Sequence, residues 1–313
     1  MNSISRVMLV LRMFLSSLSL FVEESEKVQV GGQAVIEGVL MKGPSRWGLS
    51  VRQESGEIWS EHWPSFSVTS KYPWKAPLVR GVVVMVEMMM VGIKALNRSA
   101  ELYLGKEEKI KWYEMFLSIG VAIVAVVGLF IAFPVWLSDV LAKTYHFSPL
   151  WKNVVEGVLR GAVFVLYIAI IGLWKDIKEV FRYHGAEHKT INAFESGASM
   201  EPESVVTFSR IHPRCGTSFL LVVVAVSIVV FSIIGHGSLF WRAMSRVVLL
   251  PVVIGISYEF IRFCSKSGAL GKYLISPALS LQFLTTREPD VMQVEVAVSS
   301  LETALGRSLR DRV

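Results

Sequence analysis

The sequence predicts a mainly α-helical protein that crosses a membrane about four times, with added interfacial helices and a small N-terminal β-rich unit. Three observations predict it. Hydrophobic residues make up 52% of the 313 residues and charged residues only 19%, an apolar balance for a chain of this length. Several runs approach the roughly 20 apolar residues that a bilayer-spanning helix needs. Lys and Arg gather in some connections and avoid others, the pattern of oriented insertion. The formal net charge of +6 then reads as orientation signal and attraction to lipid surfaces. No block of consecutive Lys and Arg and no nucleic-acid motif is present, so membrane lipids are expected partners and nucleic acid is not. Two cysteines, Cys215 and Cys264, do not make a disulfide framework.

Residues 1–27 form an N-terminal extension. Its "SRVMLVLRMFLSSLSLF" is like a signal sequence, but Arg12 interrupts the apolar run and no clear small-residue cleavage site follows. An uncleaved in-plane anchor is the competing reading, as is a start at Met8 or Met13. Residues 28–77 read as the β-rich unit. "AVIEGVLM" and "GLSVRQESGEIWSEHW" are strand-like, and Ser55-Gly56 is a turn. In residues 78–97, Arg80, Glu87 and Lys94 recur every seven residues and so share one face of a helix. That stripe on an otherwise apolar helix predicts one lying in the interface or packed on the bundle. Its four methionines read as adaptable packing.

Residues 116–263 form a four-span domain with spans at 116–137, 153–174, 218–235 and 246–263. The first and third carry no charge, and the second places Glu156 and Arg160 one helical turn apart. Residues 94–111 hold Lys94, Arg98, Lys106, Lys109 and Lys111, and the loop 175–217 holds Lys175, Lys178, Arg182, Lys189, Arg210 and Arg214. Residues 138–152 hold only Lys143 and Lys152, and 236–245 only Arg242. The positive-inside rule therefore puts the 175–217 loop and the C-terminus in the cytoplasm of a bacterial inner membrane. Residues 264–313 supply an interfacial or re-entrant segment and then an amphipathic helix striped by Val291, Val294, Val298, Leu301 and Leu305.

The chemistry lies in "RYHGAEHKTINAFE", residues 182–195. The segment has no proline and is expected to continue the second span as a helix. His184 and His188 then project from one face a turn apart, with Glu187 beside the second. H-x-x-E-H is the reverse of the H-E-x-x-H zinc-protease motif. In that chemistry the metal eases deprotonation of water and the glutamate takes the proton. A catalytic zinc takes three protein ligands, and the topology offers His212, Cys215 and Glu259 as the third. Each also has a structural reading: His212 as a cap before Pro213, Cys215 as a small core residue, and Glu259 as an ion-pair partner of Arg262 or Arg214. Glu195 lies about 10 Å further along a straight helix and suits an outer role. The glycines of "GGQAVIEGVLMKGP" lack the strand–loop–helix fingerprint of a nucleotide site, and Glu37 among them is a further candidate to reach the histidines.

Taken together, "GGQAVIEGVLMKGP", "YHGAEHKTINAFE", "HPRCGTSFL", "ISYEF" and "LTTREP" resemble domain-of-unknown-function family 1385, the YqhQ-like bacterial membrane proteins, over roughly residues 28–305. The resemblance implies a multi-span membrane protein of a kind described as predicted metal-dependent enzymes. By analogy with the reversed-motif proteases, His184 and His188 are ligands, Glu187 is the base, and Glu259 is the acid placed to imitate their third ligand. The expected function is a zinc-dependent hydrolase at the cytoplasmic membrane face, with a peptide or lipid-linked substrate. The competing expectation is a non-enzymatic scaffold or membrane-protein biogenesis factor that holds a membrane-protein partner. A transporter would show a pair of broken spans around a midplane site, and the sequence has no such pair.

Overall fold

The structure, a computed structural model, describes residues 30–65, 68–104, 112–234 and 238–309. The expected extension or anchor at 1–27 lies outside them, as do Lys106, Lys109, Lys111 and His236. Four strands, β1 (Gly31–Val35), β2 (Gly38–Lys42), β3 (Arg46–Arg52) and β4 (Ile58–Pro64), form an antiparallel meander in that order. "AVIEGVLM" is a hairpin in which Val35 pairs with Gly38. Its turn puts Glu37 at φ 48°, the left-handed region that non-glycine side chains seldom adopt. The turn expected at Ser55-Gly56 joins β3 to β4, with Gly56 at φ 87°.

The sheet is covered on both faces. Leu40, Trp47, Leu49 and Val51 pack with Ala95 of α1 (Val79–Leu104). Val39 and Met41 point the other way, into a core with Tyr183, Ala186, Val294, Val298 and Leu301. The α1 polar stripe meets protein rather than water. Arg80 pairs with Glu259, Glu87 lies 3.7 Å from Lys42, and Lys94 sits 4.7 Å over the Trp63 ring. The C-terminal helix, α12 (Val291–Leu305), opens with a capping box between Asp290 and Gln293. Ser300 Oγ donates within 2.9 Å of the Val39 and Gly48 carbonyls. The expected stripe is there in Val294, Val298 and Leu301. Val296, Ala297 and Ala304 are buried with them, because the helix is wedged between the sheet and α5 (Lys175–Ser196).

The remaining helices run in chain order: α2 (Trp112–Val127), a π-helical turn at Gly128–Ala132, α3 (Phe133–Tyr145), α4 (Pro149–Ile171), α5, α6 (Pro202–Val205), α7 (Gly216–Ile234), α8 (Leu239–Val248), α9 (Leu250–Lys266), α10 (Gly268–Leu279) and α11 (Gln282–Thr285). Among the described residues, three stretches are long and apolar enough to cross a membrane: Phe116–Tyr145, Leu150–Ile171 and Gly216–Ile233. Phe240–Val248 and Leu250–Lys266 make a fourth if the pair, bent by 47°, crosses as one.

Three expectations change. The first apolar helix runs on to Tyr145, so Asp139 and Lys143 are helical rather than in a loop. The expected fourth span is broken at Leu249, where Pro251 in the first turn of α9 removes a backbone donor. The segment 175–195 does not continue the second span. α4 closes at Gly172, and the extended Trp174 opens α5 as a separate helix. The absence of proline did not exclude a break, because the extended backbone at Trp174 interrupts the helix without one.

Candidate metal centre

α5 carries His184 and His188 on one face, with ring centroids 4.4 Å apart. Both Nδ1 atoms face backbone carbonyls: His184 faces Thr285 O at 2.8 Å and His188 faces Arg210 O at 2.6 Å. A carbonyl only accepts, so each Nδ1 carries the proton and donates. The neutral ring then presents a lone pair at Nε2, the arrangement that fixes a histidine as a metal ligand. Cys215 Sγ lies 3.3 Å from His184 Nε2. One ligand atom each from His184, His188 and Cys215 fall within 4.8 Å of one another, so the group can hold a metal ion.

Cys215 immediately precedes α7. The Thr217 backbone N–H donates toward its sulfur at 3.4 Å, and Thr217 Oγ1 lies 3.0 Å from it. This places the sulfur at the positive end of a helix, where negative charge is favoured. Thr217 Oγ1 is in turn 3.2 Å from Thr285 Oγ1. The segment before Cys215 is clamped by the fully buried Gln282. Its Oε1 accepts from His212 N–H at 2.8 Å, and its Nε2 donates to His212 O at 2.7 Å and to Ser218 Oγ at 2.8 Å. The loop after α11 is tied to α5 by Arg287 N–H donating to Phe181 O at 2.8 Å, and Arg210 Nη1 donates to Thr286 O at 2.6 Å. Burial holds the His188 imidazole below its ordinary value, opposed by its hydrogen bond with Cys215.

Glu187 is 5% exposed, and its Oε2 has no hydrogen-bond partner. Burial pushes its carboxyl up to about 7, only partly offset by His184. A buried acceptor without a donor calls for a missing partner, and Glu187 neighbours both ligand histidines in sequence without itself belonging to the converging group. Two glycines make room for this. A Cβ on Gly32 of β1 would lie 3.0 Å from the Glu187 carboxyl carbon. A Cβ on Gly185 would meet the Arg287 carbonyl at 2.1 Å, so glycine between the ligands lets α5 touch the loop that orients His184.

The sequence-derived candidates separate clearly. His184, His188 and Cys215 come together. His212 is adjacent, its ring centroid 5.9 Å from that of His188, but it is engaged elsewhere. Its Nε2 lies 3.4 Å from Glu195 Oε2, and its Nδ1 accepts from Arg214 N–H at 3.3 Å. Glu195 also pairs with Arg214, so its partners are His212 and Arg214 rather than any of the three converging residues. Glu259 is fully buried but bound by Arg80, from α1. This acid, in the apolar α9, is thus neutralised by a helix whose charges the sequence placed on an interfacial stripe. Glu37 reaches the neighbourhood indirectly, accepting from Tyr183 Oη at 3.1 Å, one residue before His184. Thr285, Gln282 and the Arg210 carbonyl were not anticipated. "LTTREP" stood out as a block, but a ligand-orienting carbonyl leaves no side-chain signature.

The profile of the family described as "Protein of unknown function (DUF1385)" matches residues 76–307, from just after the sheet to the end of α12. The chain is 33% identical to the "Uncharacterized protein YqhQ" of Bacillus subtilis (strain 168), with 88% of this chain and 92% of that one covered. No solved structure matches the chain.

Proposed function

The chain belongs to the DUF1385 family, and on that premise we propose that it is a membrane-embedded, zinc-dependent hydrolase. His184, His188 and Cys215 hold the ion, and Glu187 is the general base. The observation that carries this reading is the convergence of two Nε2 lone pairs and one sulfur, with both Nδ1 protons committed to backbone carbonyls. Nitrogen and sulfur donors in this number suit zinc. Three protein ligands leave a position open, as in catalytic zinc sites. An ion bound there supplies Lewis acidity at a scissile carbonyl and eases the loss of a proton from water.

The chain's own groups supply the rest. Glu187 Oε2, free of any donor, accepts the proton that the attacking water gives up and delivers it to the leaving group as the bond to carbon breaks. The backbone carbonyls of Thr285 and Arg210 keep both rings in the ligating tautomer. Thr217 N–H and Oγ1 hold the Cys215 sulfur at the head of α7. The site lies where α5 follows the apolar α4 and where α7 begins, so a peptide or lipid-linked substrate presented at a membrane surface fits it. The Lys and Arg of residues 175–217 favour the cytoplasmic face of a bacterial inner membrane.

Elemental analysis of the detergent-purified full chain tests the reading. About one zinc per chain is expected, absent from the His184→Ala/His188→Ala variant and kept in Glu187→Gln. A folded wild-type protein without metal, or a double variant that holds as much, would overturn it. Glu187→Gln also separates hydrolase from scaffold: a hydrolase loses its cellular function with metal content intact, whereas a scaffold keeps both.

A further inference from the structure

A second polar cluster lies toward the other end of the helix bundle. Glu156 of α4, 1% exposed, receives three guanidinium groups: Arg160 at 2.9 Å, Arg246 Nε at 2.9 Å, and Arg242. Asp139 of α3 pairs with Arg242 and Lys152. The Phe231 ring lies against Arg160 and Arg246, 5.6 and 4.6 Å from its centroid. Among the described residues, Lys152, Arg160, Arg242 and Arg246 therefore face only Asp139 and Glu156, four positive charges against two negative. Arg242 is 3% exposed, yet its Nε has no hydrogen-bond partner.

The helix that brings two of these arginines is inverted. Arg242, Ser245 and Arg246 of α8 are buried, while Phe240, Trp241, Met244, Val247 and Val248 are exposed. A helix facing water shows the opposite arrangement, so the outer face of α8 is made for an apolar surrounding. Glu156 lies six residues into the stretch that begins at Leu150, roughly 9 Å along the helix. Long basic side chains span that depth to the headgroup level.

We propose that this end of the bundle binds the phosphate of an anionic lipid headgroup, with the acyl chains lying along α8. A cationic excess away from water requires a counter-ion, and the guanidinium fork matches phosphate oxygens. Free phosphate shares that chemistry, but only a lipid also uses the exposed Phe240, Trp241 and Met244. The cluster shares no residue with the His184 group, so the two readings stand or fall separately.

Thermal unfolding of the full chain in detergent, followed by tryptophan fluorescence, tests the proposal with three probes: phosphatidylglycerol, phosphatidylcholine and inorganic phosphate. Phosphatidylglycerol is expected to raise Tm about 5 °C above phosphatidylcholine, and inorganic phosphate to have little effect. Lys152→Gln, at the exposed rim of the cluster, should keep its Tm in phosphatidylcholine and lose at least half of the phosphatidylglycerol shift. Arg242→Gln should lose it all. Equal shifts with the two lipids overturn the proposal, as does an undiminished shift in Lys152→Gln. The full shift with inorganic phosphate alone overturns the lipid as the ligand.

Discussion

The two buried polar clusters mark opposite ends of α7, one at Cys215 beside its first turn and the other at Ser227 and Phe231 near its last. They are built from opposite imbalances. Around His184, acceptors outnumber donors: two ring lone pairs and a sulfur converge, the Glu187 carboxylate one residue before His188 has an unpartnered oxygen, and the ring N–H groups are already spent on carbonyls. Around Glu156, donors outnumber acceptors, and a guanidinium nitrogen is left over. Both are costly away from water. The difference teaches how to read such sites: surplus acceptors call for a cation, surplus donors for an anion.

Removing the hub of each cluster breaks the comparison most severely. Glu156→Ala leaves three guanidiniums around a missing carboxylate. It should cost about 3–5 kcal/mol, read as loss of folded protein in detergent or a collapse of Tm. Stripping the cation from the other end comes next. A chelator should destabilise the wild type by about 2.7 kcal/mol where free zinc had stood near 100 times its Kd, and leave the His184→Ala/His188→Ala variant unchanged. Equal responses would mean that the acceptor-rich end holds no ion.

Smaller changes sharpen the contrast. Gly185→Ala drives a methyl group into the Arg287 carbonyl. It should cost about 1–3 kcal/mol of stability and weaken zinc binding, because the same loop carries the Thr285 carbonyl that orients His184. Zinc titration against the wild type measures it. Glu195→Gln is the mildest. Burial pushes the Glu195 carboxyl up, but the His212 hydrogen bond and the Arg214 charge outweigh it and hold the group below 4.5. Its folded-state pKa is depressed, so its stabilisation is whole above the ordinary value and fades as pH falls through the depressed one. The variant should lose roughly 0.2–1 kcal/mol at neutral pH, a gap that closes in acid when unfolding is followed against pH.

The acceptor-rich site was largely legible. His184 and His188 announce themselves because four residues make one helical turn, and Cys215 entered through the order of the spans. The same reasoning promoted Glu259, which looks from sequence like any other acid in an apolar run. Its partner Arg80 is 179 residues away, a separation that no local pattern encodes. The donor-rich site was hidden for a related reason. Glu156 and Arg160 were visible as a turn-spaced pair, but Arg242 read as a charge in an outer connection and Arg246 as the start of a span. A polar stripe that turns inward has the same period as one that turns outward, and only the packing of α8 tells them apart. The sheet was recognised as β-rich, yet β2 is buried on both faces because α1 and α12 cover it from either side. That fact belongs to the assembly rather than to the five residues.

The π-helical turn at Gly128–Ala132 has a consequence of its own. Widening the helix there loosens the regular carbonyl ladder, and Arg160 Nε donates to the Phe130 carbonyl at 3.0 Å. The extra residue in that turn thus works as an uncharged counterweight, receiving a cation without adding an acid to the apolar bundle. Deleting one residue from Gly128–Ala132 would restore an ordinary helix and swing everything beyond it by about 100°. Asp139 would then be carried away from Arg242. A one-residue change in register, with no charge altered, would unbalance the cluster.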